Sequence, residues 1–385
     1  MSVKVPAEFD DIRPFNSEEL PEVFDRLLAD ETVKGFIKSF KPRIPYFLIK
    51  MRIKSCKTNL EFQKKIVYPI VEKSWKNCTT DCTFDYSATP DKNKRYTFVS
   101  NHRDIVLDSA YLSGLLKKYD FPTTVEIAIG DNLLIKPWIK DLVRINKSFI
   151  VQRSLTGREL LMASKRMSEY MHFAVTEKQE NLWIAQREGR AKDSNDRTQD
   201  AVLKMLAMGG KGTHIESLKE LNIVPLAISY EYDPCDYLKA KEFQQKRDNP
   251  DFKKSKEDDL LNMATGIKGF KGEVHYCTAP CINEWIDELA ELPKTEFFTA
   301  VAQRMDKEIH LRYRLYPCNY IAADMLNNTT EHQAHYTDAD KAKFEYYLQE
   351  RLGLIDLPNK DEAFLKKSIL TMYANPVFNQ LAAQV

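Results

Sequence analysis

Short apolar runs of strand type alternate with longer segments of helical periodicity between residues 96 and 278, and this alternation limits the fold more than any other feature of the chain. The runs of strand type span residues 96–100, 124–129, 148–152, 181–185, 223–230 and 273–278. The helical segments between them span 105–118, 159–174, 198–208 and two polar stretches within 236–269. The pattern is typical of an α/β fold, here a mostly parallel central sheet flanked by helices and joined by right-handed crossovers.

The chain on either side of this region shows helical periodicity. Asn16 and Glu19 have the spacing of a capping box ahead of an apolar helical stretch. Residues 77–94 are polar and predict a connecting loop. Further helices are predicted at 44–53, 60–75, 337–352 and 362–374. We therefore predict a helical N-terminal region, the α/β domain and a helical C-terminal tail packed on it, with bounds 1–85, 86–320 and 321–385.

Charge and hydropathy exclude several classes of protein. The formal net charge is only +1, so we expect no nucleic-acid partner. The apolar runs fall short of the roughly 20 residues that span a bilayer, and the first residues lack the pattern of a signal peptide. The seven cysteines are odd in number and scattered, which favours a reducing compartment. We therefore expect a cytoplasmic protein.

A local basic segment departs from this neutral balance. Residues 32–60 contain no carboxylate and interleave basic with apolar side chains. The basic residues are Lys34, Lys38, Lys41, Arg43, Lys50, Arg52, Lys54 and Lys57. This mixture suits peripheral contact with an anionic lipid surface. The alternative is that the apolar side chains pack on the rest of the protein while the lysines face water.

A histidine follows the first predicted strand of the α/β region. The strand at 96–100 runs into Asn101-His102-Arg103-Asp104 and, four residues later, Asp108. The carboxyl end of a parallel strand is where open α/β sheets bind their ligands. A neutral imidazole there can accept a proton from a hydroxyl, and a carboxylate on its other ring nitrogen fixes the tautomer.

Cations follow two other strands. Arg153 comes after the strand at 148–152, and a glycine with three cations comes after the strand at 181–185. That group is Arg187, Gly189, Arg190 and Lys192. Arginine forks and a lysine commonly hold phosphate, and glycine permits close approach of the backbone. We therefore expect an acidic or phosphorylated substrate beside His102.

Four blocks in this order resemble those of the glycerolipid acyltransferase superfamily, which includes the lysophosphatidic acid and glycerol-3-phosphate acyltransferases. The blocks are Asn101-His102 with its following aspartate, Phe149-Ile150-Val151-Gln152-Arg153, Glu188-Gly189-Arg190 and Ile223-Val224-Pro225-Leu226-Ala227-Ile228. The resemblance extends over about residues 95–282. Each block alone is a weak signal, whereas the ordered set is fairly specific.

The resemblance implies a role for each block, and the fourth would help shape the acyl or acceptor pocket. His102 would be the general base, with an aspartate of the same block as its partner. Arg153, Glu188, Gly189 and Arg190 would bind the glycerol and phosphate of the acceptor, and Asn101 and Arg103 beside the histidine are also predicted to contact substrate. The acyl donor would be acyl-CoA or acyl carrier protein. The resemblance implies no metal and no bound cofactor.

Two departures from the family pattern leave alternatives open. The family separates its histidine and aspartate by four residues, whereas five lie between His102 and Asp108, and Asp104 is only two positions on. One extra residue rotates a helical side chain by about 100°, unless the turn before the helix absorbs it. We favour Asp108 and keep Asp104 as the alternative.

The third block is the second departure. The family usually shows Pro-Glu-Gly-Thr-Arg, but Arg187 replaces the proline and Arg190 comes one position early. The phosphate ligand is therefore Arg187, Arg190 or Lys192.

The sequence thus predicts an O-acyltransferase of phospholipid biosynthesis, peripheral to the inner face of the membrane. Its acceptor would be of the lysophosphatidic acid or glycerol-3-phosphate type. The irregular third block also permits a lyso-aminolipid or another non-phosphate acceptor. A third hypothesis is a non-catalytic lipid- or acyl-carrier-binding protein on the same fold.

Overall fold

A seven-stranded sheet forms the centre of the protein. The computed structural model describes residues 3–40, 44–89 and 91–385, without the side chains of residues 36, 39 and 40. Within them the strands are β1 (Asp81–Asp85), β2 (Thr97–Ser100), β3 (Val125–Gly130), β4 (Ser148–Val151), β5 (Asn181–Ala185), β6 (Ile223–Tyr230) and β7 (Glu273–Thr278). All eight residues of β6 are buried, as its apolar composition leads one to expect of a central strand.

The strand order is β1-β7-β6-β2-β5-β3-β4. Every neighbouring pair is parallel except β6 and β7, which are antiparallel. The predicted α/β fold with a mostly parallel sheet flanked by helices is confirmed. Because β2 pairs with both β5 and β6, the carboxyl ends of these three strands lie side by side. Any side chain that follows β2 therefore stands at the middle of this edge.

Helices cover both faces of the sheet. In chain order they are α1 (Leu20–Ala29), α2 (Glu31–Phe40), α3 (Tyr46–Lys54), α4 (Asn59–Phe62), α5 (Tyr68–Cys78), α6 (Leu107–Lys118), α7 (Pro137–Ile145), α8 (Gly157–Thr176), α9 (Asp200–Ala207), α10 (His214–Glu220), α11 (Asp236–Asp248), α12 (Lys256–Lys268), α13 (Lys294–Leu311), α14 (Pro317–Asn327), α15 (Asp338–Gly353) and α16 (Glu362–Gln384). One apolar core joins α8, α9 and α13 to the sheet, and a second joins α5 and α6 to its other face.

Several elements differ from the sequence-based expectations. The predicted loop at 77–94 contains β1, whose short, half-buried run gave little apolar signal. The predicted helix at 60–75 is instead α4, a π-helical turn at Gln63–Val67 and α5. At the start of α1, the Glu19 carboxylate accepts the backbone N–H of Asn16 at 2.6 Å, but no side chain caps the helix in return.

The first residues and the C-terminal helices pack in different apolar cores. Val5 and Phe9 are buried in the core that contains α8, and the Ile150 N–H donates to the Ile12 carbonyl, so the first residues join the edge of the sheet. At the other end, α11, α14, α15 and α16 share one apolar core. The C-terminal helices therefore pack as a layer against the chain that follows β6.

The basic segment at 32–60 is described in part. Lys41 and Arg43 lie outside the described residues. Helix α3 leaves Phe47 60% and Met51 64% exposed, with Leu48 beside them, while Ile53 is buried. Across the described ranges, no helix has the length and hydropathy needed to cross a membrane.

Candidate active site

Asn101 joins the end of β2 to β6. Its side-chain amide donates to the Ile228 carbonyl at 2.9 Å and accepts the Ile228 N–H at 2.8 Å. These two bonds continue the pairing of the strands by one residue beyond β2. The side chain is fully buried, and both of these bonds are to the backbone of Ile228. Its effect is to set where the next residue, His102, leaves the sheet.

His102 is hydrogen-bonded to Asp108. The distance from Nδ1 to Oδ2 is 2.7 Å, and the same oxygen accepts the N–H groups of Arg103 at 2.6 Å and Asp104 at 3.0 Å. An oxygen that receives two backbone donors is best matched by an ionised carboxylate, so Nδ1 carries the proton. The lone pair is then on Nε2, which contacts no donor or acceptor among the described residues. The imidazole is 14% exposed and lies edge-on to Trp183.

Two tyrosines also donate hydrogen bonds to Asp108. Tyr230, at the end of β6, donates to Oδ1 of Asp108 at 3.0 Å, and Tyr276 of β7 donates to its backbone carbonyl at 2.9 Å. Burial and the neighbouring negative charge raise the pKa of Tyr230 well above its ordinary value, so the phenol stays protonated and donates. Tyr230 was not among the predicted site residues. Its position at the end of a strand beside β2 is the signal that could have identified it.

Asp104 has a different task. Its Oδ1 accepts the N–H groups of Val106 and Leu107, both at 2.8 Å, and so caps the start of α6. Gly266 of α12 packs on the other oxygen, where a Cβ would come within 2.0 Å of it. The structure thus places Asp108 at His102 and turns Asp104 away.

Arg103 also faces away from His102. Its Nη2 lies 2.7 Å from Oδ2 of Asp196, and both side chains are buried. The Tyr313 hydroxyl donates to the same carboxylate at 2.6 Å. This buried pair ties the first block to the chain just after the third block. Sequence reasoning missed Asp196 and Tyr313, since nothing in the spacing of the blocks indicates their contact.

Arg153 lies over the end of β3. A Cβ at Gly130 would come within 3.0 Å of its Nε, so glycine at that position leaves room for the guanidinium. Its Nη1 is 4.0 Å from the Glu188 carboxylate, and the two side chains are 37% and 73% exposed. This distance is at the limit of an ion pair. The side chains of the second and third blocks therefore approach each other, although β4 and β5 are not neighbours and β3 lies between them.

The two arginines of the third block make no ion pair within the described part of the chain. Arg187 donates to the Glu188 carbonyl at 3.4 Å, and Arg190 donates to Asn262 of α12 at 3.2 Å. Neither arginine makes an ion pair with a carboxylate of a described residue. Gly189 between them has a φ of 68°, a left-handed conformation that glycine adopts without strain. Both guanidinium groups can still receive an acidic ligand.

Lys192 differs from these arginines. Its ammonium group forms an ion pair with Glu242, and burial lowers its pKa. Of the predicted phosphate ligands, Lys192 is therefore engaged within the protein. Asn262 was not predicted, because α12 belongs to a stretch of 236–269 whose polar composition gave no indication of a site.

Metal ligands are not grouped in the described part of the chain: no three His, Cys, Asp or Glu side chains there are placed to hold an ion. The six described buried cysteines and the half-buried Cys277 are free thiols. The candidate reactive groups at this edge of the sheet are a histidine, carboxylates and arginines.

Known proteins resemble this chain in two ways. Residues 83–229 match the model of the acyltransferase family, a span that contains His102, Asp108 and all of the predicted substrate-binding residues. No curated protein matches the sequence. The crystal structure of the 1-acyl-sn-glycerophosphate (LPA) acyltransferase PlsC from Thermotoga maritima is similar over 75% of this chain and 93% of that chain, with 11% identity and a TM-score of 0.34.

The family match rests on sequence. The matched span coincides with the strand-end blocks that form the site around His102. Residues 83–229 of the chain therefore match an acyltransferase domain.

Proposed function

We propose that this protein transfers a fatty acyl chain from acyl-CoA or acyl carrier protein to a hydroxyl of a lysophosphatidic acid- or glycerol-3-phosphate-type acceptor. The observation that carries the proposal is the 2.7 Å bond from His102 Nδ1 to Asp108, which leaves the Nε2 lone pair available. The family match of residues 83–229 supports acyl transfer as the chemistry.

His102 acts as the general base. Its Nε2 takes the proton of the acceptor hydroxyl as that oxygen attacks the thioester carbonyl. The tetrahedral intermediate then collapses, the ester forms, the carbon–sulfur bond breaks, and the imidazolium returns its proton to the departing thiolate. Asp108 keeps Nδ1 protonated throughout and stabilises the imidazolium. The step needs no covalent enzyme intermediate.

Three arginines hold the acceptor phosphate in this mechanism. Arg153, Arg187 and Arg190 follow β4 and β5. Among the described residues their closest carboxylate contact is the 4.0 Å approach of Glu188 to Arg153. A phosphate can replace that weak contact with charge-assisted hydrogen bonds, which are stronger because both partners are charged. The engaged Lys192 is excluded from this role and instead supports the loop.

A non-catalytic protein on the same fold was the rival hypothesis. It requires that neither Asp104 nor Asp108 reach a ring nitrogen of His102. The 2.7 Å distance to Asp108 supports catalysis instead. A lyso-aminolipid acceptor is disfavoured because it would leave the three arginines without an anion, and the acceptor panel below includes it as a comparison.

An acyl-transfer assay tests the proposal. Purified protein is given long-chain acyl-CoA or acyl carrier protein as donor, and glycerol-3-phosphate, lysophosphatidic acid or a lyso-aminolipid as acceptor. We expect transfer to a phosphate acceptor and a loss of about a thousandfold in His102→Ala. His335→Ala, which changes an exposed histidine stacked on Tyr320, should leave the rate unchanged. Full activity of His102→Ala would refute the mechanism.

We also propose that the protein contacts a membrane surface through α3. Phe47, Leu48 and Met51 expose apolar area that no described segment covers, and Lys50 and Arg52 are exposed beside them without an ion pair to a described residue. Lys54 is paired with Asp25. Exposed apolar side chains among free cations suit an anionic lipid surface.

Sedimentation with vesicles of anionic lipid tests this surface. Changing Lys50, Arg52 and Lys54 to Glu should weaken binding more than tenfold, since each basic residue near such a surface contributes about 1 kcal/mol. The matched control changes the exposed Lys211, Lys307 and Lys367 to Glu and should bind as the unchanged protein does. Equal binding of both triple variants would exclude α3 as the docking surface.

A further inference from the structure

A cleft opens between the acyltransferase domain and the C-terminal helices. Its walls come from the ends of β2 and β6, from the chain after the third block, and from α14 and α16. The residues that carry the argument are Arg103, Ser194, Ser229, Tyr230, Asp233 and Arg314. The cleft lies on the β6 side of His102, whereas Arg153 and Arg187 follow strands on the β5 side. It is therefore separate from Arg153 and Arg187, whereas Arg190 is near enough for its charge to help lower the pKa of Asp233 in the lining.

Arg103 lines this cleft and has one unused donor. The side chain is only 7% exposed, and its Nη2 is engaged by Asp196. Its Nη1 is buried without a hydrogen-bond partner among the described residues. A buried guanidinium N–H that stays unpaired carries a large desolvation cost, so a partner in the working complex is expected. The group calls for an oxygen acceptor.

The other polar groups of the cleft are mostly donors. The Ser229 hydroxyl accepts the backbone N–H of Arg314 at 3.0 Å, so its own proton is free to be donated. The Arg314 side chain is 40% exposed at the rim, and its nearest carboxylate, Glu273, is 3.7 Å away. Asp233 is the acidic group in the lining, and Lys239 neutralises it through an ion pair. The lining therefore offers an oxyanion two arginines and a hydroxyl.

We propose that this cleft is a phosphate subsite for one of the two substrates. The proposal rests on the proposed function, in which the acceptor carries a phosphate monoester and the thioester donor carries the phosphate of its pantetheine arm. One phosphate binds to Arg153, Arg187 and Arg190, and the other binds to Arg103 and Arg314 on the opposite side of His102. A planar guanidinium fork matches phosphate geometry, which a lysine or an amide does less well.

The subsite is joined to the catalytic histidine through Tyr230. This tyrosine lines the cleft and donates to Asp108, the partner of His102. A phosphate in the cleft therefore lies one side chain away from the group that fixes the imidazole. The C-terminal helices complete the walls, so they are part of a binding site as well as a packing layer.

Isothermal titration with inorganic phosphate tests the subsite without any acyl transfer. The full-length Arg153→Gln/Arg190→Gln protein removes two cations of the other group and should still bind phosphate. Adding Arg314→Gln should weaken this binding about tenfold, the usual scale for losing a hydrogen bond to a charged group. Adding Arg304→Gln should not, although Arg304 is equally exposed at 43% and also faces one glutamate. Absent binding, or equal binding in both triple variants, overturns the proposal.

Steady-state kinetics identify the substrate whose phosphate binds there. Arg314→Gln should raise the KM of one substrate about tenfold with little change in kcat, because the proposed role of Arg314 is to bind substrate and not to take part in proton transfer. A raised KM for the acceptor assigns the acceptor phosphate, and a raised KM for the thioester assigns the pantetheine phosphate. Both KM values unchanged from those of Arg304→Gln would overturn the subsite. If acyl transfer itself is absent, the titration still decides on the subsite.

Discussion

The two flanks of His102 are built in opposite ways. On the Asp108 flank the carboxylate is fully buried, and its two oxygens accept from His102, two backbone N–H groups and Tyr230. On the arginine flank Arg153 is 37% exposed and its best partner is 4.0 Å away. One flank is finished by the protein itself, and the other is left open to a ligand.

The difference follows from the cost of burying charge. A buried carboxylate is tolerated only when hydrogen bonds replace the water it has lost. The same bonds then fix its position, which suits a group that must orient a histidine. A partly exposed arginine keeps its water and needs no internal partner. It can exchange that water for a phosphate when substrate arrives, so changes on the two flanks should have different consequences.

The largest effect is expected from Asp108→Asn. The amide still fits, but its NH₂ group cannot accept the N–H of Arg103 or Asp104, and it favours the wrong tautomer of His102. We expect kcat to fall about a thousandfold or more, as when the carboxylate of a comparable dyad becomes an amide, together with a lower melting temperature. Asp104→Asn is the matched control. Its side-chain oxygen can still cap α6, and comparable losses in both variants would contradict the assignment of Asp108.

The next effect is the dependence of stability on pH. It arises at His310, which contacts Asp196, the partner of Arg103. Burial, followed by the positive charge of Arg197, lowers the pKa of His310 to about 4, and its Nε2 bonds to the Asp196 carbonyl at 3.0 Å. The folded pKa lies below the unfolded value of about 6.5. The stability from neutral His310 is therefore full above pH 6.5 and is lost as the pH falls towards 4.

The measurement is the free energy of unfolding as a function of pH. Between pH 7 and pH 4 the loss due to His310 should amount to about 3 kcal/mol. His310→Gln should remove that part of the slope, because glutamine does not titrate. An equally steep slope in the variant would show that groups other than His310 cause the loss of stability at low pH.

A smaller effect is expected from Tyr230→Phe. The change removes one donor and leaves Oδ1 of Asp108 buried without a partner. The free energy of unfolding should fall by about 1 to 3 kcal/mol, the usual cost of an unsatisfied buried acceptor. Tyr346→Phe provides the control, since Tyr346 is 67% exposed and should change stability by no more than about 0.5 kcal/mol. Equal stability of both variants would mean that the Tyr230 bond does not support the site.

The smallest effect on stability is expected on the arginine flank. Arg187→Gln should leave the free energy of unfolding within about 0.5 kcal/mol of the unchanged protein, because no ion pair within the described residues is lost. It should raise the KM of the phosphate acceptor about tenfold. The contrast between the two flanks would be contradicted if Arg187→Gln lowered the free energy of unfolding and left KM unchanged, because the arginine would then have a structural role.

Much of the fold was predictable because its signals are local. The strands β5, β6 and β7 begin and end at the predicted residues, since each is a compact apolar run bounded by polar residues or turns. Strand β1 was missed because only two of its five side chains are buried and its polar residues resemble a loop. Helices α13 and α14 were not predicted either, so the C-terminal layer begins earlier than the predicted boundary at residue 321.

The candidate site was predictable in its residue types but not in its contacts. Spacing alone left Asp104 and Asp108 as alternatives, because the shape of the turn before α6 depends on which backbone N–H groups the two carboxylates accept. Asn101 and Arg103 were predicted to contact substrate. Asn101 is bonded to Ile228 and Arg103 to Asp196, while Nη1 of Arg103 has no partner among the described residues. Both contacts join residues that are far apart in the chain, so a local pattern contains no sign of them.

The sequence by itself determined the alternation of strands and helices, the histidine at the end of β2 and the cations at the ends of β4 and β5, because periodicity and spacing are properties of neighbouring residues. Only the tertiary structure decided which aspartate holds His102 and which of Arg153, Arg190 and Lys192 are free of a carboxylate partner at close range. It also brought Arg103 and Arg314 to one cleft. The physical reason is that the state of a charged group depends on its burial and its partners, and both are set by segments that meet only when the chain folds.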